Sequence, residues 1–154
     1  MTGAARARKP VWALLAQQLW AAALVWPALW AHAGVVFSTI HTFQFFPNGA
    51  YPNATLVQGS DGNFYGTTSS CGTNGAGTVF KLNTNGVLTT LYAFTGYNDG
   101  GGPEAGLVEG SDGYFYGTTS YGGTNEWGTV FRIIANGEVS SLYSFTGGYD
   151  GANP

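Results

Sequence analysis

The chain has 154 residues, with five Lys and Arg against eight Asp and Glu and a formal net charge of −3. So few cations argue against nucleic acid as a partner, because binding there rests on Lys and Arg neutralising phosphates, and against an anionic membrane surface for the same reason. A single cysteine rules out an intrachain disulfide, and 25 glycines weigh against stable helices.

The first segment, residues 1–33, reads as a leader. Arg6, Arg8 and Lys9 precede an apolar stretch from Val11 to Trp30, and Ala31-His32-Ala33 supplies the small-residue site of a signal peptidase. The stretch approaches the roughly 20 residues of a bilayer span, but Gln17, Gln18 and Pro27 interrupt it, so cleavage after Ala33 is expected over retention as an anchor. The expected location is therefore outside the cytoplasm: periplasm, cell surface or extracellular space, with no membrane contact once the leader is removed. The remaining chain keeps only Lys81 and Arg132 against the eight carboxylates, a formal charge of −6. Its aromatic and aliphatic residues are too plentiful and too regularly placed for a disordered segment.

From residue 36 onward the sequence repeats with a period of 51 residues. The copies run over 36–86 and 87–137, more than half of their positions are identical, and a partial third copy occupies 138–154. Gly59-Ser60-Asp61-Gly62 falls on Gly110-Ser111-Asp112-Gly113, and Phe64 to Ser69 on Phe115 to Ser120. Gly77-Thr78-Val79-Phe80 likewise falls on Gly128-Thr129-Val130-Phe131. A leading strand is expected at 36–43. The second copy then offers strands over 106–109, 114–119, 129–134 and 139–145, joined at Ser111-Asp112-Gly113 and Ala135-Asn136-Gly137 by Gly-containing hairpin turns. The segment from Leu88 to Phe94 has no face polar enough to be left in water. Four strands in a unit of about 50 residues, covered on both faces, give an all-β fold of tandem four-stranded antiparallel blades of β-propeller type. A β-solenoid is the alternative, with a shorter usual period, and a two-sheet sandwich ranks third. Propellers typically close with about 4 to 8 blades, so two full copies predict an incomplete propeller. The expectation is a fragment of a longer repeat protein, or self-association through open blade edges.

The elements Leu-Tyr-x-Phe-Thr-Gly, Gly-Ser-Asp-Gly-x-Phe-Tyr-Gly-Thr-Thr and Gly-Thr-Val-Phe followed by Lys or Arg resemble the GloVer tandem repeat of bacterial proteins, over residues 36–154. The resemblance implies an exported protein with many such repeats, often followed by an anchoring or sorting segment. It carries over no catalytic residues, and the chain departs from the family pattern in its few copies and lack of a C-terminal anchor.

Residues that recur in register are most simply structural. Asp61 and Asp112 in the Ser-Asp-Gly turns, and Asp99 and Asp150 in Asn-Asp-Gly and Tyr-Asp-Gly, are turn residues first. They are calcium candidates second, since calcium wants about six to eight oxygens and only a shared rim of loops could assemble them. Lys81 and Arg132 are expected to point outward from their strands. His41 stands where Tyr92 and Tyr143 stand and reads as a packing position, and Cys71 replaces Gly122 in a loop. The asymmetric residues are Glu104, Glu109, Glu126 and Trp127. Trp127, with Glu126, Asn125 and Tyr121 in the same loop, is the place where a sugar ring or a protein partner is expected to bind. No catalytic constellation or cofactor motif is present. The favoured reading is a non-enzymatic exported module that binds a polysaccharide or a cell-envelope protein, or serves a structural role. The alternative is part of a propeller-type polysaccharide-active enzyme.

Overall fold

The computed structural model describes residues 37–154, so the expected leader lies outside the described residues. Eight strands follow in order: β1 (Val57–Gln58), β2 (Phe64–Thr68), β3 (Thr78–Leu82), β4 (Leu88–Ala93), β5 (Val108–Glu109), β6 (Phe115–Thr119), β7 (Thr129–Ile133) and β8 (Val139–Ser144). They form two four-stranded sheets in which every strand pairs antiparallel with its neighbour in sequence, β1-β2-β3-β4 and β5-β6-β7-β8. Each sheet therefore takes its fourth strand from the start of the following copy. Antiparallel pairing within each repeat excludes the solenoid alternative, whose coils stack in parallel.

The hairpins follow from their turn residues. Asp61 Oδ1 accepts the Asn63 amide at 3.0 Å, and the Gly62 amide donates to the Gly59 carbonyl at 2.9 Å. At the β3–β4 turn Asn83 Oδ1 accepts the amides of Asn85 and Val87, at 3.0 and 2.9 Å. These are Asx turns, in which a short polar side chain replaces a ladder bond. In both sheets the third and fourth strands slip by one residue, with Leu91 or Leu142 of the fourth strand as the extra residue opposite the Val79–Phe80 or Val130–Phe131 step.

Register decides which side chains meet. Tyr65, Thr67 and Val79 share one face of the first sheet, and Gly66, Thr68, Thr78, Phe80 and Leu82 share the other. The first of these faces packs on the second sheet through a buried cluster that includes Tyr65, Val79, Phe94, Leu107, Phe115, Phe131 and Ile133. Tyr65 stacks on Phe115 with ring centres 4.0 Å apart, and Phe94 meets Phe131 edge to face at 5.1 Å. Fully burying one such side chain contributes about 2 to 3 kcal/mol. At the edge of the seam Ser60 donates its amide and hydroxyl to the Glu109 carboxylate, at 2.8 to 3.1 Å, tying the sheets together. Within each sheet a buried threonine pair, Thr68–Thr78 and Thr119–Thr129, shares a hydroxyl hydrogen bond of 2.8 Å. The connection that leads into the sheet closes over it without a side chain, since a Cβ on Gly100 would lie 2.1 Å from Thr119 Oγ1.

Two expectations need correction. Residues 37–44, which include most of the expected leading strand, belong to no strand. Phe43 packs on Phe80 at 5.1 Å as Phe94 packs on Phe131, so the segment stands where a fourth strand would. Among the described residues it has no third strand to pair with. Lys81 does not point outward: it pairs with Tyr65 on the seam face and is half-buried. Arg132 pairs with Tyr116 on the outer face of the second sheet, as expected, its guanidinium lying over the Tyr114 ring at 4.5 Å.

Phe131→Ala should lower unfolding free energy in urea by about 3 to 5 kcal/mol. Val108→Ala, at a side chain 66% exposed, should stay within about 0.5 kcal/mol. Equal effects would show that the seam is not the core.

Candidate functional site

Antiparallel order puts the connections at two opposite ends of the sheets. The β1–β2 and β3–β4 turns and their second-sheet equivalents lie at one end. The β2–β3 loop (69–77), the β6–β7 loop (120–128), the β4–β5 connection (94–107) and residues 145–154 lie at the other. Asp61 and Asp112 are thus at one end and Asp99 and Asp150 at the other, and the shared rim that a calcium site would need is not formed.

All four aspartates instead close tyrosine clasps. Tyr65 donates its hydroxyl to Asp61 at 2.8 Å and Tyr116 to Asp112 at 2.6 Å. Tyr92 donates to Asp99 at 2.9 Å and Tyr143 to Asp150 at 2.7 Å. Asp99 also accepts the amide of Thr95 at 2.8 Å and the Thr95 hydroxyl, and Asp150 accepts the same two groups of Thr146, at 2.9 and 2.6 Å. These donors hold the Asp150 carboxyl down to about 2, the Thr146 and Tyr143 hydroxyls contributing most. The Asp61 carboxyl is lowered chiefly by Asn63, and that of Asp112 chiefly by Tyr116. Burial, then the bond to Asp99, pushes the Tyr92 phenol up to about 12. Among the described residues no three His, Cys, Asp or Glu side chains come together as a metal group would require.

The β6–β7 loop brings Tyr121, Asn125, Glu126 and Trp127 together at one end, and all four are exposed. Tyr121 and Trp127 sit at its two ends, where parallel bridging between Gly122 and Trp127 and a Gly128 amide bond to the Gly122 carbonyl (2.9 Å) narrow its neck. Each ring is pinned on one side by glycine backbone. A Cβ on Gly101 would lie 2.5 Å from the Tyr121 ring, and one on Gly147 would lie 2.5 Å from Trp127 Nε1. Partial burial raises the Tyr121 phenol. Glu126 holds φ at 66°, in the left-handed region where the first copy has Gly75.

The other candidates separate. Glu109 is absorbed by its bonds to Ser60, and Glu104 is exposed on the β4–β5 connection. His41 faces Phe43 edge-on at 5.3 Å with Nδ1 3.3 Å from the Gly86 carbonyl, the packing place of Tyr92 on Phe94. Cys71 is a half-buried free thiol at φ 63°. The tyrosine clasps went unread in the sequence, although a signal was there: where Tyr92 becomes His41, Asp99 becomes Asn48 and Thr95 becomes Gln44.

Residues 29–154 match the family described as the Gloeobacter/Verrucomicrobia repeat. The chain belongs to that family. None of the curated proteins is similar to it. Read as Gloeobacter/Verrucomicrobia repeats, the clasps, threonine pairs and seam aromatics are framework present in both units, and the Glu126-Trp127 pair, in place of Gly75-Ala76, is individual to the second.

Two outcomes are expected. Glu126→Gly should raise the unfolding free energy by about 1 kcal/mol, the left-handed strain of a side chain being relieved, as read by chemical denaturation. Across pH, the depressed Asp150 carboxyl contributes stability that is complete above its unfolded value of 3.8 and is lost as pH falls toward about 2. The raised Tyr92 phenol contributes stability that is complete below 10.0 and is lost as pH rises toward about 12. Asp150→Asn and Tyr92→Phe should flatten the acid and alkaline limbs respectively in a melting series across pH.

Proposed function

We propose that the chain is an exported, non-enzymatic repeat module whose sheets are blades of β-propeller type, and that it binds a polysaccharide or a cell-envelope protein through the loop rim at Tyr121, Asn125, Glu126 and Trp127. What supports the blade reading is the identical step from one sheet to the next: the same strands, the same bulge and the same aromatic contacts recur at 51 residues. What supports export is the basic, apolar, Ala-x-Ala order of the leader.

The observation that carries the binding reading is that Tyr121 and Trp127 stand at the two ends of one loop. Each is fixed against glycine backbone and exposed over nearly half its surface, 42% and 44%. A ring immobilised on one face gives up little rotamer entropy when the other face is covered. Apolar ring faces beside the amide of Asn125 and the carboxylate of Glu126 match the alternation of C–H faces and hydroxyls on a sugar. Tyr97, 75% exposed, lies on the same rim, its carbonyl accepting the Gly123 amide at 2.7 Å.

The test is a screen of glycans and cell-envelope fractions against the chain, with Trp127→Ala and Tyr121→Ala beside it. Binding should fall about tenfold or more in each variant while the melting temperature of Trp127→Ala stays within a few degrees. No ligand in the screen, or binding indifferent to both rings, would remove the rim from consideration.

A further inference from the structure

The seam between the sheets has two halves, and among the described residues each reappears, more exposed, on the outside of the pair. On the first sheet's seam face Tyr65, Thr67, Ala76 and Val79 are buried. Their counterparts Tyr116, Thr118, Trp127 and Val130 on the second sheet are not; Ala76 is 4% exposed and Trp127 44%. Across the seam Phe94, Pro103, Leu107 and Phe115 are buried. Their counterparts Phe43, Pro52, Leu56 and Phe64 on the first sheet's outer side are more exposed, with Leu107 at 6% and Leu56 at 46%. Phe43, Pro52 and Leu56 line an apolar cleft of about 210 Å³ with Ala54, Phe80 and Leu82. One outer side carries the half of the seam that the other lacks.

We propose that copies of this chain join head to tail by segment exchange: the second sheet of one copy docks on the first sheet of the next, and residues 145–154 of the first copy take the place of residues 43–52 of the second. Both segments are versions of residues 94–103, which cross the inner seam. The Gly102 amide donates to the Ala76 carbonyl at 2.9 Å, and the Asn153 amide to the Trp127 carbonyl at 3.0 Å. An incoming copy brings Tyr51, the counterpart of both, to the position that Asn153 holds. Only one version fits, and the difference between them decides which yields.

Residues 143–150 are clasped by Tyr143, Thr146 and Asp150, and β8 is paired along β7. Residues 41–48 carry His41, Gln44 and Asn48 at those positions, without the tyrosine hydroxyl or the carboxylate, and residues 37–44 pair with no strand. The earlier segment is held by Phe43 on Phe80, by the Ala50–Ser70 bridge and by bonds to its backbone carbonyls from Gly72, Thr78 and Ser69, but it lacks the clasp. After exchange Phe145 covers Phe80, Tyr116 stacks on Phe64 as Tyr65 does on Phe115, and Ser111 reaches Gln58 as Ser60 reaches Glu109. The joint buries sheet faces and not the strand edges to which the sequence points. Because it is heterologous, it generates a closed ring or an open chain of copies. Trp127 belongs both to the second sheet's half of this joint and to the rim, so the joint and a ligand on its ring would compete for one surface.

The test places cysteines at Gln58 and Ser111 in the full chain with Cys71→Gly. Both positions are exposed, and Gln58 shares the outer face of the first sheet with Phe64. On mild oxidation the double variant should give covalent multimers that neither single variant gives. Adding Phe145→Asp should reduce them about tenfold, and adding Phe43→Ser should increase them. No multimers in the double variant, equal multimers in either single variant, or indifference to Phe145→Asp would overturn the exchange.

Discussion

A sheet that carries Tyr65, Thr67 and Val79 on one face and Phe80 and Leu82 on the other forfeits about 25 cal/mol for every Å² of apolar surface left in water on either side. Neither face is dispensable, so the unit of stability is the pair of sheets across a seam and not the single repeat. This orders the other features. The connection after β4 must carry Phe94 onto Phe131 before it reaches β5, which is why Gly100 closes on Thr119 with no room for a Cβ. Glu109 spends its carboxylate on Ser60 because the seam's edge needs a polar tie. The seam also explains Gly117, where a Cβ would lie 2.7 Å from the ring of Phe131, and Gly66 meets Phe80 in the same way on the opposite face of the first sheet, at 2.6 Å.

Much of this was legible beforehand, for identifiable reasons. Period, strand number and turn positions could be read because Gly after Asp or Asn and the alternation of apolar residues report local backbone geometry, which the sequence encodes directly. The leading strand failed because a strand is a property of two segments: Val36 to Phe43 has the composition of one, but among the described residues, residues 37–44 find no strand to pair with. Lys81 departed from its expected outward position because charge alone does not report exposure: a long side chain can lie along a seam and present only its tip. The aspartates were rightly placed in turns, yet their tyrosine partners, four or seven residues away, escaped notice because pairing across a turn or a connection depends on how the chain folds back.

The loop from Tyr121 to Trp127 was singled out as the point where the copies differ, and the structure adds how the difference is accommodated. Ala76 is small because the next sheet's connection lies over it. Trp127 lies under Gly147 and the residues that follow, and Glu126 keeps the backbone angle of the glycine it replaces. The fold thus holds its backbone path constant while side-chain volume varies.

Every strand in both sheets bonds to the strand made just before or just after it, and among the described residues no strand returns to an earlier sheet. A chain leaving a ribosome or a translocation pore can therefore finish one sheet before the next has emerged, and each completed sheet offers a template on which its successor condenses. Contacts of this kind span short stretches of chain, which speeds their formation relative to long-range β pairing. The vulnerable species during synthesis is a sheet awaiting the following 51 residues, its seam aromatics bare, and the speed of emergence sets how long that face is open to the wrong partner.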